Sequence, residues 1–202
     1  MTSPITDVID LLVGITAGSP LDRLRAERPE TRLNAQKSYQ ALFEPAHQGD
    51  VTQDERLAIA VFVADLHAAT DISGFYASGL TDKALATAVG AEVEKGRTHG
   101  PYGRYPAGPL SSEDRAGLVY EVSGDSRNAL GPKLAAALEH SHLLVFRPRE
   151  SNAGALQKLL DAGWTTTGVV TLSQIVAFLA FQIRVVTGLK ALATATAQSL
   201  SA

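Results

Sequence analysis

The chain has 202 residues, enough for one large domain or for two small halves packed together. Its 45% hydrophobic and 19% charged residues are those of an ordinary globular protein, and a net charge of -3 leaves no basic excess with which to gather phosphates, so nucleic acid is not an expected partner. The absence of cysteine excludes disulfides, a thiol redox pair and thiolate metal ligands.

The start of the chain, Met1-Thr2-Ser3-Pro4, has no basic region, and Asp7 and Asp10 interrupt its first apolar stretch. That pattern is not expected of a signal peptide. Segment 5–17 carries Ile5, Val8, Ile9, Leu11, Leu12 and Ile15 at roughly helical spacing, and a second helix is predicted over 31–44, stopped by Pro45. Segment 52–78 opens on Thr52 and Glu55, the pattern of a capping box. From Leu57 to Ala69 it is apolar on nearly every side, which predicts a central helix, with Gly74 the expected bend. Thr81 is the predicted cap of a third long helix.

Residues 96–110 hold four glycines and three prolines and can be neither helix nor strand. They divide the chain into a first half (about 1–95) and a second (111–202). Ser111 with Asp114 reads as the next helix start. Helices are predicted over 128–142, 151–162 and 165–198. Only 119–122 and 143–146 could pass for short strands, so the fold class is all-α, a multi-helix bundle. The most apolar stretch, 168–189, contains Ser173, Gln174, Gln182 and Arg184. An arginine that deep is costly in lipid, so the stretch reads as a buried helix, not a membrane span, and the cytoplasm is the expected location.

Two stretches carry a resemblance. The stronger is Ala162-Gly163-Trp164-Thr165-Thr166-Thr167-Gly168-Val169-Val170, followed by Phe178 to Arg184 and by Gly188-Leu189. The weaker runs from Val51 to Gly79. Together, over less than half of the chain, they resemble the carboxymuconolactone decarboxylase and AhpD-like alkylhydroperoxidase superfamily, in its two-halved, peroxidase-related form. The resemblance implies an all-α, AhpD-like bundle that assembles with itself. The family's peroxidatic members place Glu-x11-Cys-x2-Cys-x3-His on their core helix pair. Laid on this sequence without gaps, those positions fall on Leu57, Ala69, Ile72 and Tyr76, all changed. The resemblance therefore implies the fold and the oligomeric habit but no thiol peroxidase.

The same helix pair keeps polar residues in apolar surroundings: His67, Thr70, Asp71, Ser73 and Tyr76. His67 and Asp71 are four apart and share a face if the helix is continuous. A carboxylate beside an imidazole suits a general base. His67, Asp71, Tyr76 and Glu55 are thus the catalytic candidates; the alternative is a helix-stabilising pair at a bend or a subunit interface. Tyr102 and Arg104 in the central loop, and Arg184 in the apolar helix, are candidates for gripping an anionic substrate. The alternatives are tyrosines packed on the core and an arginine buried in a structural ion pair. His140 and His142 are two apart and point to different sides of a helix, which is not metal-binding spacing; they read as solvated residues near a helix end. No metal and no cofactor is expected. Ser111, Ser112 and Ser126 lack any nucleophile-elbow context.

Two functional expectations follow: an acid/base enzyme acting on a small organic acid or lactone, or a non-catalytic subunit assembling with a cysteine-bearing relative. In either case the expected partner includes a second copy of the chain, through the long apolar helices.

Overall fold

The computed structural model describes residues 7–200. Among them there are nine α-helices and no strand: α1 (Val8–Val13), α2 (Pro20–Ala26), α3 (Pro29–Phe43), α4 (Gln53–Leu66), α5 (Thr70–Ala77), α6 (Lys83–Gly96), α7 (Gly124–Phe146), α8 (Ala153–Asp161) and α9 (Thr166–Leu200). The all-α class stands. Residues divide into two compact units: those up to Ala46 with those from Ala180 on, and His47–Leu179.

In the larger unit α4 is the central helix. Ala58, Ile59, Ala60, Phe62, Val63 and Ala64 are wholly buried, on every side of it. Its start is the predicted box: the Glu55 amide donates to the Thr52 hydroxyl (3.2 Å) and the Thr52 amide to the Glu55 carboxylate (2.8 Å). Its end is not where glycine suggests. The chain turns at Ala68, which takes a left-handed φ of 55°, and α5 restarts at Thr70. Gly74 lies inside α5. A non-glycine residue held in that conformation is costly, and the buried apolar side chains on both flanks hold it.

The smaller unit contains α1, α2 and α3. Gly14, at φ 80°, ends α1 at Val13, well short of 17. The short α2 does not stand out in the sequence; Ser19 caps it and Pro20 occupies its first position. Asp7, Asp10 and Asp22 tie these helices together through Arg25 and Arg32, with Arg25–Asp7 at 2.7 Å and Arg32–Asp22 at 2.9 Å. Arg25 and Arg32 both also reach Asp10.

Two expectations are corrected after the central loop. The helix expected at Ser111 is a single 3-10 turn, Pro109–Glu113, and irregular chain continues to Ser123, which caps α7. Residues 143–146 are the last turn of α7, not a strand, and 119–122 pair with nothing as strand. α7 is interrupted by Gly131 (φ 72°) and Pro132, so it bends near its start and runs on to Phe146. The Thr165 hydroxyl accepts from the Gly168 amide (3.0 Å) and starts α9. By length and composition α9 could span a bilayer; 44% of its most apolar stretch is buried, and Leu172, Ile175 and Leu179 are inaccessible.

Candidate active site: a cleft on helix 7

The irregular segment between α6 and α7 is anchored on the end of α7. The Tyr102 ring stacks on Phe146 (6.2 Å), and its hydroxyl donates to the Leu118 carbonyl (2.9 Å). Gly117 lies so close to that ring that any Cβ there would overlap it. The Arg104 amide donates to Glu150 (2.8 Å), and the Arg149 guanidinium covers the Tyr105 ring at 4.0 Å. These contacts and the first turn of α8 wall in a cleft of about 610 Å³.

One face of α7 forms its floor. Ala136, Glu139, His140, Leu143 and Arg147 recur at the spacing that places them on one side of the helix. His140 is 5% exposed and makes no hydrogen bond with any described residue, and its ring opens on the cleft. Burial lowers its pKa, which leaves it a neutral imidazole at neutral pH. Arg147 pairs with Glu150 (2.8 Å), while its Nε is buried and has no partner among the described residues. Glu139 is occupied by Arg127 and by the Val122 amide. Arg104 and Lys158 line the cleft with exposed side chains that form no ion pair among the described residues, and Glu121 is the corresponding carboxylate. The cleft thus combines a neutral base, two uncommitted cations and an apolar patch from Leu143 and Leu159.

A largely buried polar cluster adjoins the cleft and shares Tyr120 with its lining. The Tyr120 hydroxyl donates to Glu92 (2.7 Å), as do the Ser123 hydroxyl (2.7 Å) and Lys95 (3.0 Å). Burial alone would raise the Glu92 carboxyl, but hydrogen bonds from Ser123, Tyr120, Ser126 and Lys95 outweigh it and hold the pKa at about 2. Burial and the Glu92 charge push the Tyr120 phenol far up. His142 stacks on Tyr120 (4.8 Å), and its Nε2 donates to the Gly96 carbonyl (3.0 Å). It is fully buried, and burial brings its pKa down to about 4.

Of the candidates read from the sequence, only Arg104 lines the cleft. His67 caps the end of α4, half-buried, and Asp71 lies beyond the break at Ala68, exposed in the first turn of α5. No continuous helix joins them. Tyr76 is 1% exposed with its ring edge-on to Phe75 (5.1 Å). Glu55 serves its helix cap and pairs with Lys133 (2.9 Å). Tyr102 is packed on Phe146. Arg184 is exposed, contrary to the burial expected of it, and donates to the Ala180 carbonyl one turn back (2.7 Å). His140 and His142, expected to be solvated, are both buried. Their expected divergence is correct, one facing the cleft and the other the polar cluster. The signal for the cleft is present in the sequence, in the helical spacing from Ala136 to Arg147, but a helix ended at 142 conceals it.

No group of three or more histidines, aspartates or glutamates placed to hold a metal ion occurs among the described residues. No family model, no curated protein and no solved structure matches this chain.

Proposed function

We propose that the cleft binds a small organic acid and that His140 moves a proton on it, making the protein an acid/base enzyme. One observation carries the reading: a neutral imidazole, 5% exposed and without a protein hydrogen bond among the described residues, faces a cleft of about 610 Å³. An imidazole that lines a cleft and spends no hydrogen bond on the protein is free to engage a ligand there. Arg104 and Lys158 would hold the substrate carboxylate on the rim. His140 would then accept a proton from a carbon next to a carbonyl and, as the imidazolium so formed, return it to the product. Such chemistry needs no thiolate, and the chain has no cysteine to provide one. It is the chemistry implied for a cysteine-free protein by its resemblance to the carboxymuconolactone decarboxylase and AhpD-like superfamily.

A screen by proton exchange tests this without the substrate being identified first. The protein is incubated in deuterated buffer with a panel of small keto, hydroxy and lactone acids, and loss of carbon-bound proton signal is followed by NMR. Exchange with at least one acid that disappears in His140→Gln is expected. Failure of every acid both to exchange and to shift the His140 ring signals would end the reading.

A second reading is favoured by a different observation. Leu156 and Leu160 on α8 are 39% and 36% exposed, and Val170 on α9 is 55% exposed. Apolar side chains left open in this way suit an assembly surface, for a second copy of the chain or for a cysteine-bearing relative. Native mass spectrometry that finds only the 21.3 kDa monomer at micromolar concentration would count against self-assembly.

A further inference from the structure

The smaller unit holds a groove that the cleft on α7 does not involve. Its walls are Ile9, Leu24, Ala35, Phe181, Val185 and Leu189, and its volume is about 180 Å³. That is below the usual size of a drug-binding cavity, so it suits a small or slender ligand. Three arginines also line it, Arg25, Arg28 and Arg32, and no aspartate or glutamate does. This local bias stands out in a chain of net charge -3.

The three arginines are not equivalent. Arg25 and Arg32 are committed to Asp7, Asp10 and Asp22, none of which lines the groove. Arg28 forms no side-chain hydrogen bond or ion pair among the described residues and is exposed. Leu24 and Phe181 keep 42% and 39% exposure along the groove. Apolar walls that remain open beside an uncommitted guanidinium match a ligand with an apolar tail and an anionic head.

We propose that this groove binds a medium-chain aliphatic carboxylate, with the chain along Leu24, Phe181 and Leu189 and the carboxylate on Arg28. The site is separate from the proposed His140 chemistry and stands or falls without it. Arg28 meets the head as a bidentate donor, and Arg32, which already holds two carboxylates, adds field but no new hydrogen bond.

Calorimetric titration of the full chain with sodium octanoate tests this, with 1-octanol and octyltrimethylammonium as tail-matched controls. Octanoate is expected to bind, the alcohol at least tenfold more weakly, and the cation not at all. Arg28→Glu is expected to weaken octanoate by about tenfold to a hundredfold, the range for a charge-assisted hydrogen bond. Because the Arg28 side chain has no ion pair or hydrogen bond to lose among the described residues, the melting temperature should not change. Leu24→Asp is a second variant that removes the tail contact. Amide shifts on octanoate addition should fall on residues around Leu24 and Leu189. The proposal is overturned if octanol binds as tightly as octanoate, if Arg28→Glu leaves the affinity unchanged, or if the shifts fall outside the groove. Binding seen only on anionic vesicles, with no response to free octanoate, overturns it equally.

Discussion

His140 and His142 stand two residues apart on α7, are both buried and are both driven toward the neutral form, yet they live in different chemistry. His142 is closed in: it stacks on Tyr120, bonds the Gly96 carbonyl, and belongs to the cluster that satisfies Glu92. His140 faces open space and bonds nothing among the described residues. Burial does not by itself mark a functional group. What separates the two is access: His142 Nδ1 is buried with no hydrogen-bond partner among the described residues and no opening, whereas His140 lines the cleft. A group enclosed among packed side chains contributes to stability, and a group beside a cavity is available to a ligand.

The contrast can be broken most sharply at the polar cluster. Glu92→Ala takes the acceptor from Tyr120, Ser123 and Lys95 at once. Removal of one partner from such a buried arrangement should cost about 3–5 kcal/mol in denaturant unfolding. A loss under about 1 kcal/mol would show that the cluster does not hold this part of the fold together.

The next effect is pH dependence. The folded pKa of His142, about 4, lies below its ordinary value of 6.5. The unfolded chain therefore binds the proton more readily. Stability is fully present above about 6.5 and is lost as the pH falls toward 4, at up to about 1.4 kcal/mol per pH unit for each such group. Glu92 adds a second window with the same sign, from its ordinary 4.5 down to about 2. Urea midpoints measured between pH 7 and 4 should fall steadily, and His142→Phe should remove the larger part of that slope. His140, whose pKa is also lowered, contributes the remainder.

The smallest effect on stability is predicted at His140. Replacing an unpartnered buried imidazole with leucine leaves no group orphaned, so His140→Leu should change stability by less than about 1 kcal/mol or increase it. Proton exchange on the cleft's substrate should vanish in the same variant. A large loss of stability would instead place His140 with His142, as part of the structure.

Legibility in the sequence follows how local the controlling physics is. The capping box at Thr52 and Glu55 is readable because both of its hydrogen bonds lie within four residues. The core character of α4 is readable because apolar residues on every side of a helix have nowhere to go but inside. The break at Ala68 is not: no glycine or proline marks it, and the strain of a left-handed alanine is tolerated only because packed side chains on both flanks compensate. That one break places His67 at the end of α4 and Asp71 in the first turn of α5, on two helices and not on one. The exposure of Arg184 is hidden for a related reason. An apolar helix contains no local sign of which side faces out, and this arginine lies on the outward side.

By itself, then, the sequence determined the helical class, the start of the central helix, the irregular link after α6 and the absence of thiol chemistry. These depend on composition, on spacing within a turn or two, and on which atoms the side chains possess. The tertiary structure alone decided where the cleft lies and which histidine faces it. Those outcomes rest on the end of α7, the first turn of α8 and the strap held by Tyr102 meeting across more than 40 residues of chain, and nothing local specifies such a meeting.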